Sequence, residues 1–299
     1  MVNHKHLRAV VEDIHANGGM LTEDLLLKLI NEFRFSNLWI PAKRQNDTLN
    51  FIIYDDEEAK ITPLFTDLDE FRKFYKDTDI QALQNSFELY QNIIRTTDIE
   101  GYILNPASEK YLFTDEFILG ITNIPKTNFY TSEPYTKEEL KGMYDSIDNS
   151  SLEGFIKKRE NVGHYEALFE ELANSTCLVL MLSPNDLTAY AKDGIISMQE
   201  TGPMAQMHTD RIGGEYATIF TSKEKLNEVA TDYFRYAQIV NVATLVNFIL
   251  SEDMDGIIIN QGSDDVLIPR VELLRYSLGF EKFANDEKLS TSIFYMFPI

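Results

Sequence analysis

Two groups of polar residues recur at one spacing along the chain. They are Asp98, Glu100 and Asn105 in the first group and Asp253, Asp255 and Asn260 in the second. Carboxylate and amide oxygens at the start of a strand could bind a cation or a basic peptide. The favoured alternative is structural: the Asp closes a turn, the following Gly relieves backbone strain, and the Asn turns a hairpin. Neither group has the alternating oxygen ligands and terminal bidentate Glu of a calcium loop.

A histidine and a cysteine are the side chains whose types could act in catalysis. His208 and Asp210 could be an acid–base pair or two metal ligands, with Glu200 close in sequence. The five histidines are too scattered to give a tight ligand set, so an ordinary loop histidine is favoured. Cys177 begins the apolar run Cys-Leu-Val-Leu-Met-Leu, where a thiol is buried and inert. We therefore predict no catalytic residue, no metal site and no cofactor.

Three methionines lie in a segment that could face a partner or a ligand. Met198, Met204 and Met207 stand close to His208 within residues 183–215. Methionine repacks easily around different partners, and His208 adds one titratable group. The favoured alternative for this segment is an extended hairpin that covers a core, with Gly213-Gly214 as its turn.

The polar groups belong to a longer internal repeat. The same separation of 155 residues joins Phe65 to Phe220, Asp98 to Asp253, Gly101 to Gly256 and Asn105 to Asn260. A constant separation over about forty residues predicts two tandem copies of one domain. Matching the Leu38 strand to the Leu178 strand gives a separation of 140 instead. About fifteen residues are therefore inserted in the second copy, within 183–215.

The elements around these residues mix helices and strands without strict alternation. Periodicity and capping residues predict helices over 3–17, from Thr22, after Thr66, over 80–96, over about 136–147 and over about 270–286. Short apolar runs predict strands at 37–42, 49–54 and 59–65, hairpins near 101–113 and 256–268, and an apolar tail at 292–299. This order predicts an α+β fold with a mostly antiparallel sheet packed by helices. The predicted divisions are an N-terminal helix (1–20), a first domain (21–120), a linker with one helix (121–160) and a second domain (161–299).

Composition limits the classes of partner. The 299 residues carry a formal net charge of −21, which repels phosphate backbones and argues against nucleic acid. Solubility is the favoured explanation of this acidity, and a protein partner with a basic surface is the alternative. One cysteine excludes an internal disulfide framework and suits the cytoplasm. No window approaches eighteen apolar residues, so we predict no membrane span.

Three stretches of the first copy resemble a known family. They are Leu38-Trp39-Ile40-Pro41, Pro63-Leu64-Phe65-Thr66-Asp67 and the run from Asp98 to Pro106. Their order and spacing resemble the N-terminal domain of the SseB family, the enhanced serine sensitivity proteins, over about 25–120 and more weakly over about 162–280. The second copy has Val179 and Gln261 where the first has the Trp and the Pro. The resemblance implies a small α+β domain without an established biochemical role, and it supplies no catalytic residues.

These observations together predict a non-enzymatic protein-interaction or scaffold module. Two copies without a shared acid–base or nucleophile set favour a duplicated surface over a duplicated active site. One alternative is a small-molecule sensor with its ligand held between the two domains. Another is an enzyme whose site lies in 183–215 and uses groups not recognised in the sequence.

Overall fold

A computed structural model describes residues 3–45, 48–55, 59–76, 79–122, 135–158, 165–173, 175–276 and 293–299. The chain divides into two compact units. The first unit comprises residues 1–124 and 251–253, and the second comprises residues 125–250 and 254–299. Both units combine helices with mostly antiparallel sheets, so the predicted α+β class is confirmed. Within the described ranges, no helix has the length and apolar character needed to cross a membrane.

The first unit contains five helices and seven strands in its described part. The helices are α1 (Lys5–Ala16), α2 (Glu23–Phe35), α3 (Leu68–Phe74), α4 (Phe87–Thr96) and α5 (Asp115–Gly120). The strands are β1 (Leu38–Gln45), β2 (Thr48–Phe51), β3 (Tyr54–Asp55), β4 (Lys60–Leu64), β5 (Gln81–Asn85), β6 (Gly101–Leu104) and β7 (Tyr111–Thr114).

These strands form two sheets. The three-stranded sheet has the order β2-β1-β5 and is antiparallel throughout. The four-stranded sheet has the order β3-β4-β6-β7, in which β4 and β6 are parallel and the outer pairs are antiparallel. A bridge between Trp39 and Phe65 joins the end of β4 to β1.

The amphipathic helices cover one apolar core in the first unit. Leu7, Val11 and Ile14 of α1 are at most 1% exposed, as their helical spacing predicts. Phe33 of α2 stacks on Phe113 of β7, with ring centroids 4.1 Å apart. Burial of these aromatic and aliphatic groups ties the lead helices to the four-stranded sheet.

The second unit contains seven helices and nine strands in its described part. The helices are α6 (Lys137–Asp145), α7 (Ser150–Lys157), α8 (Tyr165–Ala173), α9 (Met198–Thr201), α10 (Lys223–Asn227), α11 (Val242–Ser251) and α12 (Arg270–Tyr276), with a 3₁₀ turn at Thr188–Tyr190. The strands are β8 (Thr176–Ser183), β9 (Ile196–Ser197), β10 (Met204–Ala205), β11 (Met207–Thr209), β12 (Glu215–Ile219), β13 (Phe234–Asn241), β14 (Gly256–Ile259), β15 (Val266–Pro269) and β16 (Tyr295–Pro298).

The sheets of the second unit match those of the first in register and extend one of them. In the order β11-β12-β14-β15, Tyr216 pairs with Gly256, as Ile61 pairs with Gly101 in the first unit, so both partners are shifted by 155 residues. The other sheet has five strands in the order β10-β8-β13-β16-β9. The C-terminal strand β16 and the insertion strand β9 thus extend this sheet beyond β13.

Three predictions about local structure are wrong. Residues 80–96 are not one helix, because 81–85 form β5 and only Phe87–Thr96 is helical. The run Gln-Ala-Leu-Gln-Asn suits a helix, but pairing with β1 overrides that propensity. The equivalent strand β13 was not predicted at all. The region 121–160 contains two helices where the sequence predicted one.

Two further expectations are refined by the described residues. The bridge from Leu178 to Phe220 matches the bridge from Trp39 to Phe65, so Leu178 corresponds to Trp39 and the separation is 139, not 140. The predicted helix over 270–286 is helical as far as Tyr276, and its remainder lies outside the described residues. The apolar tail forms β16.

Candidate functional site

The repeated asparagines lock a threonine in each unit. Asn105 accepts the Thr66 N–H through Oδ1 at 3.0 Å and donates from Nδ2 to the Thr66 Oγ1 at 2.9 Å. Asn260 makes the same two contacts with Thr221, at 2.9 and 3.0 Å. All four residues are fully buried, and both asparagines have positive φ, 41° and 53°. These side chains therefore hold the Thr–Asn corner of each unit and are not free to bind a ligand.

The repeated glycines allow two strands to approach closely. A Cβ on Gly101 would stand 2.3 Å from the Phe113 carbonyl oxygen, and one on Gly256 would stand 2.2 Å from that of Ile268. Such contacts would force the backbone of the neighbouring strand to shift. The glycines are required by close approach in both units, and Gly256 additionally has φ +156°.

The repeated acidic residues do not form one kind of site. Asp98 is exposed and pairs with Lys60, whose hydrogen bond lowers the pKa of the carboxyl below its ordinary value. Asp253 is 5% exposed and has φ 59°, so it occupies a buried turn. Asp255 accepts the Glu215 N–H at 2.7 Å. A shared cation or peptide site at these positions is not supported by the geometry.

Charged side chains surround the Thr–Asn corner of the first unit. Arg8 donates from Nε to Glu109 at 2.8 Å and also lies 3.5 Å from Asp67 and 3.7 Å from Glu70. Glu70 is 1% exposed and accepts a hydrogen bond from the Ser108 hydroxyl at 2.6 Å. One guanidinium therefore holds three carboxylates together around α3 and the β6–β7 turn. No local sequence pattern indicates this cluster, because Arg8 is about sixty and a hundred residues from its partners.

The Thr–Asn corner of the second unit carries charges of opposite sign at two equivalent positions. Lys225 stands where the first unit has Glu70, and it lies 3.4 Å from Asp264. Glu153 of α7 accepts the Thr221 hydroxyl at 2.8 Å. It follows Asn149 by four residues, just as Arg8 follows His4.

The helices α1 and α7 are equivalent because their preceding residues contact equivalent carbonyls. His4 lies 3.0 Å from the Asn37 carbonyl oxygen through Nε2, and Asn149 donates to the Thr176 carbonyl oxygen at 2.7 Å. Asn37 and Thr176 both stand two residues before the bridged positions of β1 and β8. The charge is therefore reversed at two positions. Arg8 of α1 corresponds to Glu153 of α7, and Glu70 of α3 corresponds to Lys225 of α10.

The segment 183–215 is divided between the two edges of the five-stranded sheet. Met198 lies on α9 beside the edge strand β9, and its side chain is half-buried. Met204 lies on the opposite edge strand β10 and Met207 on the outer strand β11 of the other sheet. Their exposed fractions are 56% and 43%. Met204 and Met207, three residues apart, thus lie on outer strands of two different sheets, whereas Met198 lies beside the opposite edge of the five-stranded sheet.

A cluster of hydrogen-bonded polar side chains lies close in sequence to Met204 and Met207. Gln261 donates from Nε2 to the Nδ1 of His208 at 2.8 Å and accepts from Gln206 through Oε1 at 3.2 Å. The equivalent positions in the first unit are Ile52, Tyr54 and Pro106, none of which could form it. We call Met204, Met207 and the cluster Gln206–Gln261–His208 the methionine edge. The replacement of Pro by Gln261 was visible in the sequence, but its partners were not.

Residues 210–214 form a hairpin turn, as predicted for Gly213-Gly214. Asp210 accepts the N–H groups of Gly214 at 2.7 Å and Ile212 at 2.9 Å. These bonds, led by that from Gly214, lower the pKa of Asp210. His208 contacts Gln261 and lies beside the Tyr216 ring, so the sequence pair His208–Asp210 is not an acid–base pair in this structure.

Cys177 lies within β8 and is fully buried. Burial raises the pKa of its thiol to about 12, so it is protonated at neutral pH. Among the described residues, no group of three or more His, Cys, Asp or Glu side chains could hold a metal ion.

Comparisons with known proteins add little to this description. No protein-family model and no curated protein matches the chain. Among solved structures, the chain is similar to Tic22 from Plasmodium falciparum, with 9% identity over 86% of this chain and 99% of that chain, at a TM-score of 0.17. A TM-score this low carries no argument about fold or function.

Proposed function

We propose that this protein is a non-enzymatic interaction module that binds a partner protein along the methionine edge. The observation that carries the proposal is the exposure of Met204 and Met207 on outer strands. Outer strands present unpaired backbone groups that can take up another chain. Methionine side chains adapt their shape to apolar groups of a partner.

The polar cluster would allow the methionine edge to discriminate between partner proteins. Gln206, Gln261 and His208 are half-buried and hydrogen-bonded to one another, so their positions are fixed before a partner arrives. Fixed polar groups beside adaptable apolar groups favour binding with defined register. With a net charge of −21, the chain favours a partner with a basic surface and disfavours nucleic acid.

Two broader proposals accompany this one. The matching registers of the two units support a duplicated domain, and the motifs from Leu38 to Pro106 support membership of the SseB family. A single buried cysteine suits a reducing compartment such as the cytoplasm.

The test is affinity capture from cell extract with the wild-type chain and two variants, followed by mass spectrometry. The test variant is Met204→Ser/Met207→Ser, and the control is Met20→Ser, a methionine of the first unit that is 67% exposed. We expect a partner that is retained by wild type and control and lost by the double variant at an unchanged unfolding temperature. Capture of the same proteins by all three would contradict the proposal.

A further inference from the structure

The outer edge of β5 in the first unit differs from the equivalent edge in the second. In the second unit, β13 pairs with β8 on one side and with β16 on the other. In the first unit, β5 pairs with β1, and no strand of the described residues pairs with its other side. The two edges are equivalent by register, because Leu38 pairs with Asn85 and Cys177 pairs with Val240.

The strand β16 completes an apolar cluster in the second unit. Leu178, Phe220, Leu226 and Ala237 form this cluster together with Phe297 of β16, and all five are at most 4% exposed. The cluster also contains Leu140, Ile195 and Ile293, which lie outside the stretches that the two units share. The C-terminal strand therefore contributes to the core as well as to the sheet.

The equivalent cluster in the first unit is smaller and less buried. Phe65 and Phe71 are buried in it with Tyr75, while Trp39 and Ala82 are only partly buried. Ala82 corresponds to Ala237, which is fully buried where Phe297 of β16 lies opposite. Among the residues that the structure describes, no paired strand covers this cluster as β16 covers the one in the second unit.

Two more features of this edge suit a docked strand. The indole Nε1 of Trp39 is buried and has no hydrogen-bond partner among the described residues, although tryptophan N–H groups usually have one. The strand β5 itself contains no charged residue and no proline, the residues that commonly protect sheet edges.

We propose that the outer edge of β5 binds an extended, mostly apolar strand of a partner protein. The strand runs antiparallel to β5 in the register that β16 has on β13, with an aromatic side chain opposite Ala82. Because the chain carries a net charge of −21, basic residues flanking that strand favour its approach. A second copy of this chain is disfavoured as the donor, since its β16 is already held between β13 and β9.

The first experiment uses the single tryptophan of the chain as a reporter. The probe is a peptide with the sequence of residues 293–299 preceded by two lysines. We expect saturable binding with a blue shift of Trp39 fluorescence, because the indole becomes covered. The control peptide carries N-methyl groups on the amides that would pair with β5, and it should produce no shift. A shift with both peptides, or with neither, would overturn the proposal.

The second experiment fixes the register by disulfide formation. Ala82→Cys and the matched control Ala237→Cys are each mixed with a peptide whose residue corresponding to Phe297 is a Cys activated as a mixed disulfide with thionitrobenzoate, which leaves as the new disulfide forms. We expect cross-linking at position 82 to be faster than at 237 by at least about tenfold, because docking raises the local thiol concentration. Buried Cys177 does not compete. Equal rates at the two positions would overturn the register.

A thiol-labelling measurement shows whether the outer edge of β5 is open to a partner or is already covered by this chain. Without peptide, a small thiol reagent should modify Cys at position 82 quickly and Cys at position 237 slowly. If position 82 is protected in the monomeric chain or in a dimer, the edge is occupied by this protein and the proposal of a partner fails. These experiments use no residue of the methionine edge, so their failure leaves the proposed function standing.

Discussion

The Thr–Asn corners of the two units share one backbone arrangement and differ in charge. In both, a buried asparagine with positive φ holds a buried threonine through two hydrogen bonds. Around this arrangement, Arg8 gathers three carboxylates in the first unit, whereas Glu153 and Lys225 occupy the equivalent places of Arg8 and Glu70 in the second. The backbone arrangement therefore requires the same Thr and Asn in both units, whereas the charges around it can reverse when the neighbouring charged residues change with them.

The largest effect is expected from filling the glycine positions. Gly101→Ala and Gly256→Ala would each bring a Cβ into the carbonyl oxygen of the neighbouring strand. We expect the free energy of unfolding to fall by about 3 kcal/mol in each case, measured by denaturant titration. Gly142→Ala is the control, because a Cβ there meets nothing within 4 Å. Tolerance of alanine at either strand position would show that the two units do not share this requirement.

Removal of the asparagine side chains should have the next largest effect. Asn105→Ala removes two hydrogen bonds with Thr66, whereas Asn260→Ala removes those with Thr221 and also one to Asp264, and each variant leaves a Thr N–H without its partner. We expect a loss of about 2–3 kcal/mol in the free energy of unfolding. Asn→Gly at the same positions removes the bonds but relieves the positive φ, so it should cost less than alanine. Equal losses for glycine and alanine would assign the effect to the hydrogen bonds alone.

A charge exchange tests the reversal between the corners. Arg8→Glu places a fourth carboxylate beside Asp67, Glu70 and Glu109, and we expect a loss of about 1–3 kcal/mol in the free energy of unfolding.

The double variant Arg8→Glu/Glu70→Lys gives these two positions the charges of Glu153 and Lys225, although Asp67 remains where the second unit has Ser222. It should recover more than half of this loss, and the coupling should weaken in high salt. If Arg8→Glu/Glu70→Gln recovers as much of the free energy of unfolding as Arg8→Glu/Glu70→Lys, the recovery comes from removing repulsion between carboxylates and not from a reversed ion pair.

The smallest effect is expected at Asp98. This carboxyl is exposed and its pKa is lowered by the hydrogen bond from Lys60, so any contribution to stability is present at neutral pH and lost as pH falls through that lowered pKa. Asp98→Asn should leave the unfolding midpoint unchanged within error between pH 5 and 8. Asp253→Asn alters a buried carboxyl and should lower the midpoint. The reverse order of the two effects would contradict the contrast between exposed and buried positions.

Much of the local structure followed from short sequence patterns. The predicted elements include the amphipathic helix α1, the helix start at Thr22, the hairpins at Gly101 and Gly256 and the turn at Gly213. They could be predicted because the conformation of each depends on residues close by in sequence. The spacing of 155 residues was readable for the same reason. Of the three methionines chosen from the sequence, Met204 and Met207 are exposed on outer strands and Met198 lies elsewhere, and their role as a binding site stays a prediction.

The elements that depend on distant partners were decided only by the tertiary structure. Gln81–Asn85 is a strand because it pairs with β1, about forty residues earlier, and no local signal distinguishes it from the helix that follows. The match of Trp39 with Leu178 came from bridges to Phe65 and Phe220, not from resemblance of side chains. Hydrogen bonds between strands and ion pairs such as that of Arg8 with Glu109 join residues that are far apart in sequence. Local backbone preferences act within a few residues, so the repeated positions, the helix starts and the turns could be predicted from the sequence. Strand pairing and the contacts of Thr66 with Asn105 and of Thr221 with Asn260 join residues about forty positions apart, so only the fold shows them.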